Sequence, residues 1–167
     1  MSVKALKPVP TWLVRIGSDY AHISIDEENG VVSINSSYGD YNYIWRSIGT
    51  YTLLEFVCGL NFDYAMGKFL GRPSCFDARA TIKSYREAIL EYRLRWDIEE
   101  DDARKYWNEL GEIEDHGSVD LFHREISETD FAGWFEDWWE YGTYTHPPRA
   151  RMFWDTLWAE FVKEVSP

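Results

Sequence analysis

Apolar residues in this chain recur every second position up to about Thr50 and at steps of three and four beyond it. That switch constrains the fold more than any other feature, because strands and helices bury one face at those two periods. Before the switch, residues 11–16 are rich in β-branched and aromatic side chains. His22, Ile23, Ser24, Ile25 and Asp26 alternate in polarity, and Glu27, Glu28, Asn29 and Gly30 end in an Asn-Gly pair that favours a tight hairpin turn. Residues 31–35 return as a partner strand, Ser37, Tyr38, Gly39 and Asp40 form another turn, and residues 41–45 alternate again. The expectation is a small antiparallel meander of three or four strands over residues 11–46. Residues 1–10, with Pro8 and Pro10, read as an extended arm.

Beyond Thr50 the pattern predicts helices over residues 52–165. Leu53, Leu54, Phe56, Val57 and Leu60 suit one short buried helix, and residues 62–70 a second, stopped by Gly71 and Pro73. Asp77 is a good N-cap for a long helix through Trp96, whose Ile82, Tyr85, Ile89, Tyr92 and Trp96 form one stripe. Glu91 and Arg95 lie one turn apart on its wet side. Asp97 with Glu100 resembles a capping box for the next helix, which ends near Leu110 and Gly111, and Ser118 caps a short turn. Phe131, Trp134, Phe135, Trp138 and Trp139 stand at helical steps, with Gly142 as the stop. Pro147 and Pro148 introduce a last helix striped by Trp154, Leu157, Trp158, Phe161 and Val165. The predicted fold class is α+β, a meander packed against a mostly helical C-terminal part. At 167 residues it reads as a single domain, 1–167, without repeats.

An apolar content of 45% with 17% aromatics excludes a disordered chain. No apolar run approaches the roughly 20 residues that span a bilayer, and residues 1–10 lack the features of a signal peptide. The expected location is the cytoplasm, with Cys58 and Cys75 as free thiols. A net charge of −12 argues against direct nucleic-acid binding and for attraction to a basic surface.

The histidines, His22, His116, His123 and His146, show no metal-ligand spacing and read as scattered surface or capping residues. There is no nucleophile elbow, phosphate loop or dinucleotide turn, and Ser36 and Ser37 read as turn residues. No cofactor, no metal and no enzymatic activity are therefore expected. Two surface features remain. Residues 97–140 hold sixteen Asp and Glu against three Lys and Arg. The candidate partner-binding residues are Asp97, Glu99, Glu100, Asp101, Asp102, Glu112, Glu114, Asp115, Glu125, Glu128 and Asp130. Residues 131–161 hold 11 of the 29 aromatics. Trp138 and Trp139 are adjacent, about 100° apart on a helix, so Trp138, Trp139, Tyr141 and Tyr144 are candidates for an aromatic interface, most simply of a homodimer.

Residues 35–49 contain Tyr38, Gly39, Tyr41, Tyr43 and Trp45, a Tyr-Gly-x-Tyr-x-Tyr-x-Trp run. It resembles a motif of small proteins of temperate bacteriophages and prophages. There it is followed by a short helix and a Tyr-x-x-x-Lys element, matched here by Tyr64 and Lys68. The similarity extends to Phe153 and Trp158, and departs at Ser37, where an acidic residue is common. The resemblance carries no settled activity and no active site; it implies a phage accessory protein expressed in a bacterial cytoplasm. Joined to the anionic region, it implies a non-enzymatic protein that inhibits a host defence complex of the anti-CRISPR or anti-restriction kind. The expected partner is a host protein or nucleoprotein with a basic groove, met by a nucleic-acid-like array of carboxylates. The alternative is an assembly module that oligomerises through its aromatic surface.

Overall fold

The structure is a computed structural model and describes residues 7–115 and 117–166. The alternating segments form four strands, β1 (Thr11–Ile16), β2 (Asp19–Asp26), β3 (Val31–Ser36) and β4 (Gly39–Ile44). They pair in the antiparallel order β1-β2-β3-β4. Register puts Trp12, Ile23, Ile34 and Tyr41 in one row, and Ile25, Val32 and Tyr43 in the next. Ile23, Ile25, Val32, Ile34 and Tyr41 are buried. The opposite face carries a polar row in which Thr11 Oγ1 meets Ser24 Oγ at 2.9 Å and Ser33 donates to Asn42. One face buried and one wet is what the alternation encodes.

The turn between β2 and β3 is a four-residue loop in which Asp26 accepts the Asn29 N–H. Gly30 there has φ +67°, and a Cβ would overlap the Trp45 carbonyl oxygen. Ser37 lies in the next turn, and Ser36 ends β3 with its Oγ donating to the Gly39 carbonyl at 2.7 Å.

This sheet belongs to a compact unit formed by the described residues up to Pro73 and those from His146 onward. Helix α1 (Leu53–Cys58) opens with a capping box between Thr52 and Glu55. The Glu27 carboxylate also accepts its first N–H groups, Leu53 at 2.6 Å and Leu54 at 3.0 Å. Helix α2 (Phe62–Phe69) is capped by Asn61. After residue 146 the chain returns as α7 (Pro148–Phe153), a π-helical turn (Trp154–Trp158) and α8 (Ala159–Val165). The widened turn lets the adjacent Leu157 and Trp158 both be buried. Phe153 stacks on Tyr41 with ring centroids 4.6 Å apart, and Phe161 meets Trp12 edge-on at 5.5 Å. Truncating a fully buried Phe such as Phe153 costs about 3–5 kcal/mol.

Described residues 74–145 form the second compact unit, with its own core. Strands β5 (Cys75–Phe76) and β6 (Tyr144–Thr145) pair antiparallel. The helices are α3 (Ala78–Leu94), α4 (Glu100–Glu112), α5 (Val119–Ser127) and α6 (Asp130–Trp134). Asp77 caps α3, accepting the Ala80 N–H at 2.9 Å. Tyr85, Ile89, Leu110, Phe122, Ile126, Phe131, Phe135 and Trp138 fill the core.

Three local expectations are corrected. The aromatic helix from Phe131 does not run to Trp139: it ends at Trp134, Asp137 turns left-handed at φ 58°, and residues Trp138–Tyr141 form a 3-10 turn. The break lets the Trp138 carbonyl accept the buried Tyr85 hydroxyl at 2.7 Å. Helix α4 is capped at Glu99 and not at Asp97, without a side-chain bond, and the Asp97 N–H that Glu100 was to accept goes to the Tyr92 carbonyl. Ser118 stands at the N-cap of α5 but makes no side-chain cap bond. Among the histidines, His146 is buried rather than superficial, with its ring edge-on to Phe62. His116 lies outside the described residues, as do residues 1–6 of the arm. Among the described residues no helix is long and apolar enough to cross a membrane.

Candidate partner-binding surface

Helix α3 ends in a way its sequence does not announce. The Asp97 N–H bonds the Tyr92 carbonyl at 3.0 Å and the Trp96 N–H bonds the Arg93 carbonyl at 3.2 Å, the two bonds of a Schellman motif. The residue that must turn left-handed there is normally glycine. Here it is Trp96, at φ 63°. A bulky side chain in that conformation costs about 1–2 kcal/mol. The indole does not recover this by burial, since Trp96 is 82% exposed. The Arg93 guanidinium lies over it, 4.9 Å from the ring centroid.

Leu94, at 81% exposure, and Leu90 continue this apolar surface along α3. Opposite them α4 presents Trp107, with the Arg86 guanidinium 4.8 Å above its ring. Between the helices lies a shallow groove of about 240 Å³ lined by Leu90, Arg93, Glu100, Ala103, Arg104 and Trp107. Trp96 was expected on the buried stripe with Tyr85 and Ile89 and instead leaves it. Leu90 and Leu94 were missed altogether. Their signal was legible as a second i, i+4 apolar pair among Arg86, Glu87, Glu91 and Arg93.

One carboxylate, Glu100, lines the groove, and the others stand at the two ends of α4 and beside α6. Asp97, Glu99, Glu100, Asp101 and Asp102 gather at the start of α4 and are all exposed, where the helix dipole favours negative charge. Glu112, Glu114 and Asp115 are exposed at its far end, about 18 Å away at 1.5 Å per residue. Glu128 and Asp130 are exposed beside α6, whereas Glu125 is half-buried and accepts the Glu114 N–H at 3.2 Å. Three of the set are paired with surface cations: Glu100 with Arg104 at 2.7 Å, Asp115 with Arg79 at 3.3 Å, and Asp130 with Lys105. The bond from Asp130 raises the Lys105 pKa. Among the described residues no ion pair joins Asp97, Glu99, Asp101, Asp102, Glu112, Glu114 or Glu128. These carboxylates point outward along one unit and do not converge in a closed cleft.

Of the aromatic candidates, Trp138 lies in the core at 7% exposure, so it offers no surface. Trp139, Tyr141 and Tyr144 are each about half exposed. They rest against buried rings, Trp139 on Trp138 and Tyr141 on Phe135.

The family model of Phage_phiTE_072, a phage family, matches residues 11–166. The chain belongs to this phage family. The match takes in both compact units, the meander with its helices and the acidic helical unit alike. No curated protein and no solved structure matches the chain.

Proposed function

We propose that this phage protein is a non-enzymatic inhibitor that binds a basic surface on a bacterial defence complex through its α3–α4 face. Leu90, Leu94, Trp96 and Trp107 supply the apolar anchor, and Asp97, Glu99, Asp101 and Asp102 supply the anionic rim. One observation carries this reading: an exposed indole, Trp96, occupies a left-handed position that glycine would fill without strain. Interfaces combine such desolvated aromatic anchors with a polar rim. A net charge of −12 favours a basic protein surface over nucleic acid as the partner. The carboxylates dispersed from Asp97 to Asp115 suit a groove that otherwise tracks phosphates.

The test is capture from the bacterial host with the wild-type protein beside a Glu99→Lys, Asp101→Lys, Asp102→Lys variant. A nucleic-acid-binding complex should be recovered by the wild type alone, and its affinity should weaken with salt. Affinity unchanged by the reversal and by salt would remove the proposal. A second reading, an assembly module, draws on the half-exposed Trp139, Tyr141 and Tyr144. It requires a salt-insensitive oligomer by light scattering that Trp139→Ala dissociates.

A further inference from the structure

The two motifs singled out near the N-terminus meet at one place. Tyr43 and Trp45, at the end of β4, and Tyr64 and Lys68, on α2, line a single open cavity of about 800 Å³ with Arg46 and Asn42. Its volume falls within the range of small-molecule sites, about 300–1,000 Å³. The Lys68 ammonium sits 5.6 Å from the Tyr43 ring centroid and 5.3 Å from that of Tyr64. No carboxylate lines the cavity, although the chain carries 29 Asp and Glu. Among the described residues neither Lys68 nor Arg46 has a carboxylate partner. Trp45, in the same wall, is buried with its Nε1–H lacking an acceptor, and an unspent buried donor asks for an explanation.

Two cations without carboxylate partners beside aromatic rings, in a protein of net charge −12, select for a ligand that is both negatively charged and planar. We infer that this cavity is a binding site for a free mononucleotide. The base lies against the exposed Tyr64 ring, and the phosphate is taken by Lys68 and Arg46. Stacking on tyrosine tolerates any base, and an ammonium and a guanidinium together match one phosphate. A strand of nucleic acid is the disfavoured source of the same chemistry. Two cations neutralise little of a polyanion, and the net charge of −12 repels it.

The experiment is calorimetric titration of the full-length protein with AMP, with inorganic phosphate, adenosine and a short oligothymidylate as comparison probes. AMP should bind saturably, and phosphate and adenosine each at least about tenfold more weakly. Lys68→Ala, Arg46→Ala and Tyr64→Ala should each weaken AMP by about tenfold. Arg46 and Tyr64 are exposed, so their variants remain informative if Lys68→Ala melts early. No saturation by about 5 mM AMP, equal affinity for phosphate alone, or unchanged AMP binding in the natively melting variants would overturn the inference. Tighter binding of the oligonucleotide than of AMP would overturn it in favour of a nucleic-acid strand. The Glu99→Lys, Asp101→Lys, Asp102→Lys variant should keep AMP affinity, so failure here is separable from failure of the defence-complex proposal.

Discussion

Replacing Trp96 with glycine separates a residue kept for folding from one kept for display. Trp96 occupies the left-handed position of the α3 stop at φ 63°, and relieving that strain returns about 1–2 kcal/mol. Against this, glycine loses about 0.5–1 kcal/mol more backbone entropy on folding. The contact with the Arg93 guanidinium at 4.9 Å forfeits about 0.5–1 kcal/mol at so exposed a site. These terms nearly cancel, so Trp96→Gly should leave stability within about 1 kcal/mol of wild type. In a chain of 167 residues that is a melting shift of roughly 4 °C or less. A buried tryptophan cut to a small residue would instead cost about 3–5 kcal/mol. Trp96→Ala keeps the strain and should be the less stable of the two by about 0.5–1 kcal/mol. Partner affinity should fall about thirtyfold in both, the mark of an anchor worth about 2 kcal/mol. Circular-dichroism melts and binding kinetics on the captured host complex read the two quantities separately. A core-like loss of stability in Trp96→Gly, or full partner affinity without the indole, would refute the reasoning.

Other expectations follow from buried groups. Tyr85→Phe should cost about 1–3 kcal/mol in denaturant titration, because the Trp138 carbonyl loses its 2.7 Å donor; a neutral effect would mean water replaces the hydroxyl. Burial raises the Tyr41 pKa to about 12 and raises that of Tyr85 as well. Their neutral forms favour the fold, so this stability is complete below about pH 10, the unfolded value. It is lost as pH rises through about 12. Absorbance at the tyrosinate band should therefore rise together with loss of circular dichroism, and Tyr41→Phe should shrink that joint step. Gly30→Ala should destabilise by more than about 1 kcal/mol, since it adds a clash with the Trp45 carbonyl to an unfavourable φ. A melt equal to wild type would show that the loop shifts freely.

The strands were legible because Ile23 and Ile25 face inward while His22 and Ser24 do not, and register then follows from the pleat. Asp77 and Pro148 marked helix starts by chemistry that acts within one turn. The break after Trp134 was not legible. Phe131, Trp134, Phe135, Trp138 and Trp139 satisfy a helical stripe, while the 3-10 turn is favoured by a partner distant in sequence, the Tyr85 hydroxyl. Trp96 was misplaced for a related reason: a left-handed stop is written by glycine, and here a Schellman closure forms without one. The carboxylates proved exposed except Glu125, which the Glu114 N–H draws inward. The apolar surface beside them was hidden because Leu90 and Leu94 stand one position off the dominant stripe. The division into two units falls at Gly71 and Pro73 and at Pro147 and Pro148, which the sequence alone reads only as a helix stop and a helix start.

That division has a consequence for how the protein is made. The sheet's own unit draws Ala150, Phe153, Leu157, Trp158 and Phe161 from the segment after residue 146, so five of the sixteen buried residues of its core emerge from the ribosome last. The helical unit uses only the contiguous stretch from residue 74 to 145 and can close without that last segment. A released chain truncated after residue 145 should thus protect Tyr85 from protease while the four strands, lacking Phe153, Leu157, Trp158 and Phe161, are still cut.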